Sequence, residues 1–233
     1  MSSPTRLARI AGVSYLLLAV FGGLPWLYLN STIVKSGDAA ATADNIAAHA
    51  SVLRLALVSD LASMACYVLT AMALYALLNH VSRGIAAAIV VFAATGAAIM
   101  GASALAQIGA MSIATDSAYA TAWGPNGSDA LVLLLLDLRV NGALVAGVFF
   151  GLWLLPMGYL AYQSGYFPRS LGVLLMVGCF GYLVDLVVKL LFPGVGDTVS
   201  PFVLLPSVVA EFWMIGYLLF KGVRIARPVP AAA

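Results

Sequence analysis

Long apolar runs with almost no charge constrain this chain more than any other feature of its sequence. Each run is long enough to cross the roughly 30 Å hydrocarbon core of a bilayer as a helix. Only 9% of the residues are charged, so the chain cannot cover a water-facing surface. The sequence therefore predicts an all-α polytopic membrane bundle, a single domain over residues 1–233, with about six transmembrane helices at residues 7–29, 53–78, 85–113, 130–164, 171–192 and 202–220.

The basic residues predict the orientation of these spans. The first apolar run is about 20 residues long and no small-residue cleavage site follows it, which favours a span over a removed signal peptide. Because cytoplasmic loops carry an excess of Lys and Arg, we predict that the N and C termini are cytoplasmic. The residues that then lie inside are Arg6, Arg9, Arg83, Arg169, Lys221, Arg224 and Arg227. The net charge is only +2 and the basic residues are scattered over helix ends, so the sequence indicates no nucleic-acid partner.

Two irregularities are expected within this plan. The run at residues 130–164 is longer than one simple crossing needs. Either a tall helix projects outward, or the helix breaks or kinks near Asn141-Gly142 and residues 130–141 form a separate outer helix. We favour the break, and we expect a further kink at Pro156. In the first outer loop, Asp38 or Thr42 can cap a short helix that leads into the second span.

Ionisable residues inside the predicted spans are the main functional signal. Asp60, Asp185 and Glu211 lie in the outer parts of the second, fifth and sixth spans, and Lys189 follows Asp185 by one helical turn. A charge near the bilayer centre costs roughly 2.5–3.5 kcal/mol on insertion scales, so such groups usually face the bundle interior and pair there. We infer an outward-facing polar pocket, with Asp60, Asp185 and Glu211 as candidate catalytic acids or bases.

A second set of polar residues is expected to bind the substrate at this pocket. Asp137 and Asn141 share a helix face, whereas Arg139 points roughly opposite. A regular helix cannot direct all three inward, so either Arg139 reaches the headgroups or a break at Asn141-Gly142 reorients it. The alternative to a functional site is a set of buried ion pairs that fix the helix register. The candidate substrate-binding residues are Arg54, Gln107, Asp137, Arg139, Asn141 and Lys189.

The sequence indicates no metal and no cofactor. The predicted topology places His49 in an outer loop and His80 at the cytoplasmic end of the second span, so they cannot share a metal or a haem. Cys66 and Cys179 fall inside apolar spans, where small core residues are the favoured interpretation. Small residues such as Gly151 predict places where a neighbouring backbone approaches closely.

Several short motifs, spread over nearly the whole chain, match one pattern. They are Ala8-Arg9-Ile10-Ala11-Gly12, Val58-Ser59-Asp60-Leu61, Leu135-Leu136-Asp137-Leu138, Gly165-Tyr166-Phe167-Pro168-Arg169 and Gly181-Tyr182-Leu183-Val184-Asp185. With these motifs the chain resembles the bacterial multi-pass membrane family called domain of unknown function 4386. The resemblance implies the fold and the membrane location, and it implies no activity.

Three functions fit these observations. The first is binding or conversion, by acid–base chemistry, of a small amphipathic or isoprenoid-like molecule, which would be a lipidic partner besides the lipid bilayer itself. The second is a small proton-linked transporter, although the inner halves of the spans contain no charged residue to carry a proton onward. The third is a non-catalytic membrane subunit or sensor in which the ion pairs are structural. Whether the chain is an enzyme, its substrate and its oligomeric state stay open at this point. Aromatic residues that could hold an apolar tail are Phe149, Phe150, Trp153, Phe212 and Trp213.

Overall fold

A computed structural model describes residues 3–35, 37–192 and 194–224, so Pro193 and Arg227 lie outside the described residues. Within this part of the chain the secondary structure is helical and contains no strand. The helices are α1 (Pro4–Tyr28), α2 (Ala39–Ala48), α3 (Ala50–Leu78), α4 (Arg83–Thr115), α5 (Ser117–Trp123), α6 (Pro125–Leu152), α7 (Leu154–Ser164), α8 (Arg169–Leu191) and α9 (Gly196–Gly216). A π-helical turn extends α1 over Leu29–Ile33, and another extends α9 over Tyr217–Lys221.

Six helical stretches of the described chain are long and apolar enough to cross a membrane. This confirms the predicted all-α, six-span fold of a multi-pass membrane protein. The stretches are Pro4–Ile33, Ala50–Leu78, Arg83–Thr115, Pro125–Ser164, Arg169–Leu191 and Thr198–Lys221.

The fourth stretch corrects one expectation. The predicted break near Asn141-Gly142 is wrong, because α6 continues through both residues to Leu152. Gly142 serves close packing instead, since a Cβ there would collide with the side chain of Ser103. The helix is interrupted at Trp153, where the ring nitrogen of Pro156 has no hydrogen to donate to the carbonyl of Leu152.

The chain divides into two compact units, and several long helices contribute to both. The first unit comprises Met1–Ser14, Leu69–Phe92 and Phe150–Ala233. The second unit comprises Tyr15–Val68 and Ala93–Phe149.

In the first unit, α8 packs closely against α7 and α9 through glycines. A Cβ at Gly158 would lie 2.6 Å from the carbonyl oxygen of Gly172, so these two backbones touch. On its other side α8 meets α9, where Ser207 Oγ donates to the carbonyl of Gly178 at 2.8 Å. Gly151 approaches α8 as well, because a Cβ there would lie 2.8 Å from that of Tyr182, which confirms the close approach predicted at Gly151. Close packing at small residues thus holds these helices together, because the hydrophobic effect does not drive helix association in lipid.

The corner between α7 and α8 holds the end of the described chain. α7 ends at Gly165 in the left-handed region, at a φ of 71°. The carbonyl of Tyr166 then accepts hydrogen bonds from the Arg224 backbone N–H at 3.0 Å and from the Tyr217 hydroxyl at 3.3 Å. Phe167 is buried beneath this corner, with its ring 5.5 Å from that of Tyr217.

In the second unit, α2 folds back onto the ends of the longer helices. Asp38 caps α2, as predicted, by accepting a hydrogen bond from the Ala41 N–H at 2.9 Å. Asn45 Nδ2 donates to the carbonyl of Ile33 at 3.1 Å, which ties α2 to the π-helical turn after α1. The buried side of α2 then completes an apolar cluster made of Leu29, Ile33, Ala43, Ile46, Leu53, Ala110, Met111, Val132 and Leu136.

Candidate functional site

A buried ion pair joins α3 and α6 in the second unit. Arg139 Nη2 donates to Asp60 Oδ2 at 2.6 Å, and the two residues are 3% and 5% exposed. The Arg139 guanidinium also lies over the ring of Trp26, 5.3 Å from its centroid, and Trp26 as a whole residue is 36% exposed. An ionised donor and acceptor at this distance form a strong hydrogen bond, and the aromatic face adds a favourable cation–π contact.

The same helix α6 presents its other polar residues to the outside of the unit. Asp137 and Asn141 are exposed, on the face opposite the buried Arg139. Because α6 is regular here, no helix break orients Arg139. Its side chain is buried against Asp60 and does not extend towards the headgroups. Of the residues predicted to share one site on this helix, only Arg139 joins Asp60. Arg54, six residues before Asp60 on α3, is exposed too.

Gln107 on α4 lies at the same level as Arg139. The contacts of Gly142 with Ser103 and of Gly109 with Leu135 set an antiparallel register between α4 and α6. In that register residue 107 is opposite residues 137 and 138, and Gln107 is on the same helix face as Ser103. The side chain is buried, at 2% exposure. Asp60, Gln107 and Arg139 therefore form one polar layer across three helices.

Two atoms of the polar layer lack a hydrogen-bond partner among the described residues. They are Arg139 Nη1, a donor, and Gln107 Oε1, an acceptor, and both are buried. A buried polar group without a partner costs about 1–3 kcal/mol, and more if it is charged. The polar layer therefore contains one unsatisfied donor and one unsatisfied acceptor at the same level of the α4–α6 contact.

The polar layer is bounded above and below along the helix axes. On one side small residues pack closely: Gly142 touches Ser103, and a Cβ at Gly22 would lie 3.4 Å from Ser63 Oγ. On the other side, one to two helical turns away, the layer meets the apolar cluster, to which α2 contributes Ala43 and Ile46. The polar layer thus lies between these two regions, and the exposed Trp26 lies where the layer reaches the surface.

The first unit holds the other predicted acids. Lys189 Nζ donates to Asp185 Oδ2 at 3.2 Å, while Asp185 Oδ1 is buried without a hydrogen-bond partner among the described residues. The Tyr182 hydroxyl donates to Glu211 Oε1 at 3.2 Å. Sequence reasoning missed Tyr182, although it precedes Asp185 by three residues and so lies on the same face of α8.

The predicted site residues are thus distributed over two units. Asp60 belongs to the second unit, whereas Asp185, Lys189 and Glu211 belong to the first. Each acid has a partner of its own within its unit. The single pocket inferred from the sequence stays a prediction. Among the predicted aromatic walls, Trp153 is buried, whereas Phe212 and Trp213 are exposed.

The remaining candidate groups have ordinary structural partners. His49 Nδ1 lies 2.9 Å from the Asn45 carbonyl oxygen, and His80 Nδ1 lies 2.9 Å from that of Leu77. Neither Cys66 nor Cys179 forms a disulfide. In the described residues no three His, Cys, Asp or Glu side chains are grouped to hold a metal ion. A surface groove of about 430 Å³ runs beside Arg6, Arg9 and Val13 of α1, and no predicted site residue lines it.

Comparison with known proteins agrees with this architecture. The family model described as domain of unknown function (DUF4386) matches residues 10–222. An uncharacterized protein of Archaeoglobus fulgidus is 32% identical over 82 residues, which are 35% of this chain. This chain spans about half of that relative, 47% of its length. No solved structure matches the chain. Because the family model covers most of the chain, the resemblance seen in its motifs is confirmed, and the protein belongs to the family described as domain of unknown function (DUF4386).

Proposed function

We propose that the protein binds a small amphipathic molecule, such as an isoprenoid, and that its polar layer contacts the polar group of that molecule. The observation that carries the proposal is the buried Arg139 guanidinium, of which Nη2 is bonded to Asp60 and Nη1 has no partner among the described residues. A ligand atom that accepts a hydrogen bond from Nη1 would remove the cost of that unpaired donor. We also place the protein in the bacterial inner membrane with cytoplasmic termini, because its basic residues follow the positive-inside pattern.

In this proposal Asp60 holds the arginine in place. Its Oδ2 is engaged by the guanidinium, and its backbone carbonyl accepts a hydrogen bond from Ser63 Oγ at 2.7 Å. A carboxylate so occupied orients Arg139 and balances its charge. Binding therefore has stronger support than acid–base chemistry by Asp60, and transport has less, because closely packed small residues bound the layer.

Acid–base conversion is the second candidate function, and it belongs to the first unit. The hydrogen bond between the Tyr182 hydroxyl and Glu211 joins a proton donor to a carboxylate, with Asp185 one turn along the same helix. Glu211 and Asp185 therefore remain the candidate acids or bases for a reaction.

Thermal unfolding of the purified full-length protein in mild detergent tests the binding proposal. The probes are farnesol, 1-dodecanol, dodecanoate and dodecylamine, each added below its own micelle concentration. A ligand of the folded state raises the Tm, so at least one probe is expected to raise it by several degrees. The double variant Asp60→Asn/Arg139→Gln, which keeps a neutral hydrogen-bonding pair, should lose that response.

Asp137→Asn is the matched control, because it removes an exposed carboxylate from the same helix as Arg139. This variant should respond to the probes like the wild type. The proposal fails if no probe shifts the Tm, or if the double variant responds as the wild type does.

A further inference from the structure

We infer that the polar group held in the polar layer is a hydroxyl, so that the ligand is a neutral amphipathic alcohol. This inference rests on the proposed binding function and names its ligand class. It starts from two atoms of opposite character, the donor Arg139 Nη1 and the acceptor Gln107 Oε1. Both are buried, lie at one level of the α4–α6 contact, and have no hydrogen-bond partner among the described residues.

Hydrogen-bond chemistry selects the hydroxyl. A hydroxyl carries one donor and two acceptor lone pairs, so it can accept from Arg139 Nη1 and donate to Gln107 Oε1. No other simple head group satisfies both atoms with a single oxygen.

Charge balance excludes the common ionic head groups. Asp60 already neutralises Arg139, so the polar layer carries no net charge in its described residues. A carboxylate accepts only, which would set its lone pairs against Gln107 Oε1 and add an unmatched negative charge. An ammonium donates only and would face the Arg139 guanidinium. A neutral group therefore fits the site better than either ion.

The surroundings of the polar layer explain why the ligand has an apolar part. The contact of Gly142 with Ser103 closes one end, and the cluster that includes Ile46 closes the other. The exposed side chain of Trp26 lies on the remaining side of the polar layer, and in a membrane span this side faces lipid. A molecule that enters there must first dissolve in the bilayer, as an alcohol with a hydrocarbon tail does.

A bound water molecule is the competing occupant, because water also donates and accepts. Three probes of equal chain length separate the cases in the full-length detergent-solubilised protein. They are 1-dodecanol, its methyl ether 1-methoxydodecane, which accepts but cannot donate, and dodecanoate, which is anionic. The Tm of the wild type is expected to rise with the alcohol and to rise clearly less with the ether.

The variant Gln107→Leu removes the acceptor, and Asn126→Leu removes an exposed amide from α6 as the control. Titration of the Tm shift should give at least a tenfold weaker affinity for 1-dodecanol in Gln107→Leu, which corresponds to about 1.4 kcal/mol. Asn126→Leu should bind the alcohol as the wild type does. If Gln107→Leu does not fold, the comparison of alcohol and ether on the wild type still decides the question.

Each remaining outcome bears on one proposal or on both. An ether that binds as well as the alcohol, or an unchanged affinity in Gln107→Leu, overturns the hydroxyl inference. If dodecanoate raises the Tm of the wild type but not that of Asp60→Asn/Arg139→Gln, while the alcohol shifts neither, the inference fails and the binding function stands. If none of the amphiphiles binds, the layer holds water only, and both proposals fall.

Discussion

At the residue scale, the Asp60–Arg139 pair is a short and buried contact of the second unit. Its atoms are 2.6 Å apart, and both side chains are nearly inaccessible. Burying two charges has a large desolvation cost, so such a pair adds little net stability even when its geometry is good. The loss of one partner is different, because the other charge is then left buried and alone.

We therefore predict a large asymmetry between single and double variants. Arg139→Gln should lower the free energy of unfolding by about 3–5 kcal/mol, because Asp60 keeps a buried charge without its cation. Asp60→Asn/Arg139→Gln should lose markedly less, since no unmatched charge remains. Unfolding in mixed micelles with increasing sodium dodecyl sulfate measures both, with Asp137→Asn as the exposed control. Equal losses for the single and double variants would show that the charge is not the cause.

Two contacts between side chains on different helices could not be predicted from the sequence. Asp137, Arg139 and Asn141 give α6 two polar faces, and the sequence offers no reason to bury one face rather than the other. In the structure Arg139 is buried against Asp60. The two residues are 79 positions apart in the sequence, yet their bonded atoms are 2.6 Å apart in space. The partnership of Tyr182 with Glu211 is likewise a contact between helices, which the spacing within one helix cannot predict.

Close helix contacts decide the geometry of the site at the element scale. Gly142 lets α6 approach α4 at Ser103, one turn from Arg139, and this contact brings Gln107 to the level of Arg139. In the sequence, Asn141-Gly142 resembles a helix break because both residue types are unfavourable inside helices. Its actual role is contact between helices, and only the position of Ser103 reveals it.

We predict opposite outcomes for two Gly→Ala variants in helix interiors. Gly142→Ala should destabilise the protein by about 1–3 kcal/mol, because the new methyl group collides with Ser103 and forces the helices apart. Gly23→Ala meets nothing within 4 Å and should stabilise α1 by about 0.5–1 kcal/mol. Unfolding free energies of the two variants in mixed micelles check the prediction.

A second-site change separates collision from helix propensity. Ser103→Gly removes the atoms that the Gly142→Ala methyl group would meet, so the double variant should recover part of the loss. No recovery in the double variant would mean that Gly142 acts in some other way.

The six-span plan at the scale of the whole molecule follows directly from the sequence. Span number and approximate bounds depend only on the length and polarity of the apolar runs, which bilayer thickness fixes. The division into two compact units does not follow, because it depends on which helices pack together. The same holds for the distribution of Asp60, Asp185 and Glu211 over those units.

Orientation gives a whole-molecule prediction. With cytoplasmic termini, α5 lies outside the cell and the corner before α8 lies inside. A membrane-impermeant maleimide should label Ala120→Cys in intact cells, and should label Ser170→Cys only after permeabilisation. Both positions are exposed. The wild-type protein is the control for background labelling, since Cys66 and Cys179 lie within spans. The reverse labelling pattern would invert the topology.

The sequence distance between Asp60 and Arg139 has a consequence for biosynthesis. The ribosome must add 79 residues after Asp60 before Arg139 exists. At a synthesis rate of about 5–20 residues per second, this interval lasts roughly 4–16 s. During that time α3 enters the translocon with a carboxylate that has no cation, and its apolar residues must outweigh a cost of roughly 2.5–3.5 kcal/mol. Assembly of the second unit is therefore delayed until α6 has been synthesised, and a nascent chain arrested before Arg139 should be a preferred substrate for membrane quality-control proteases.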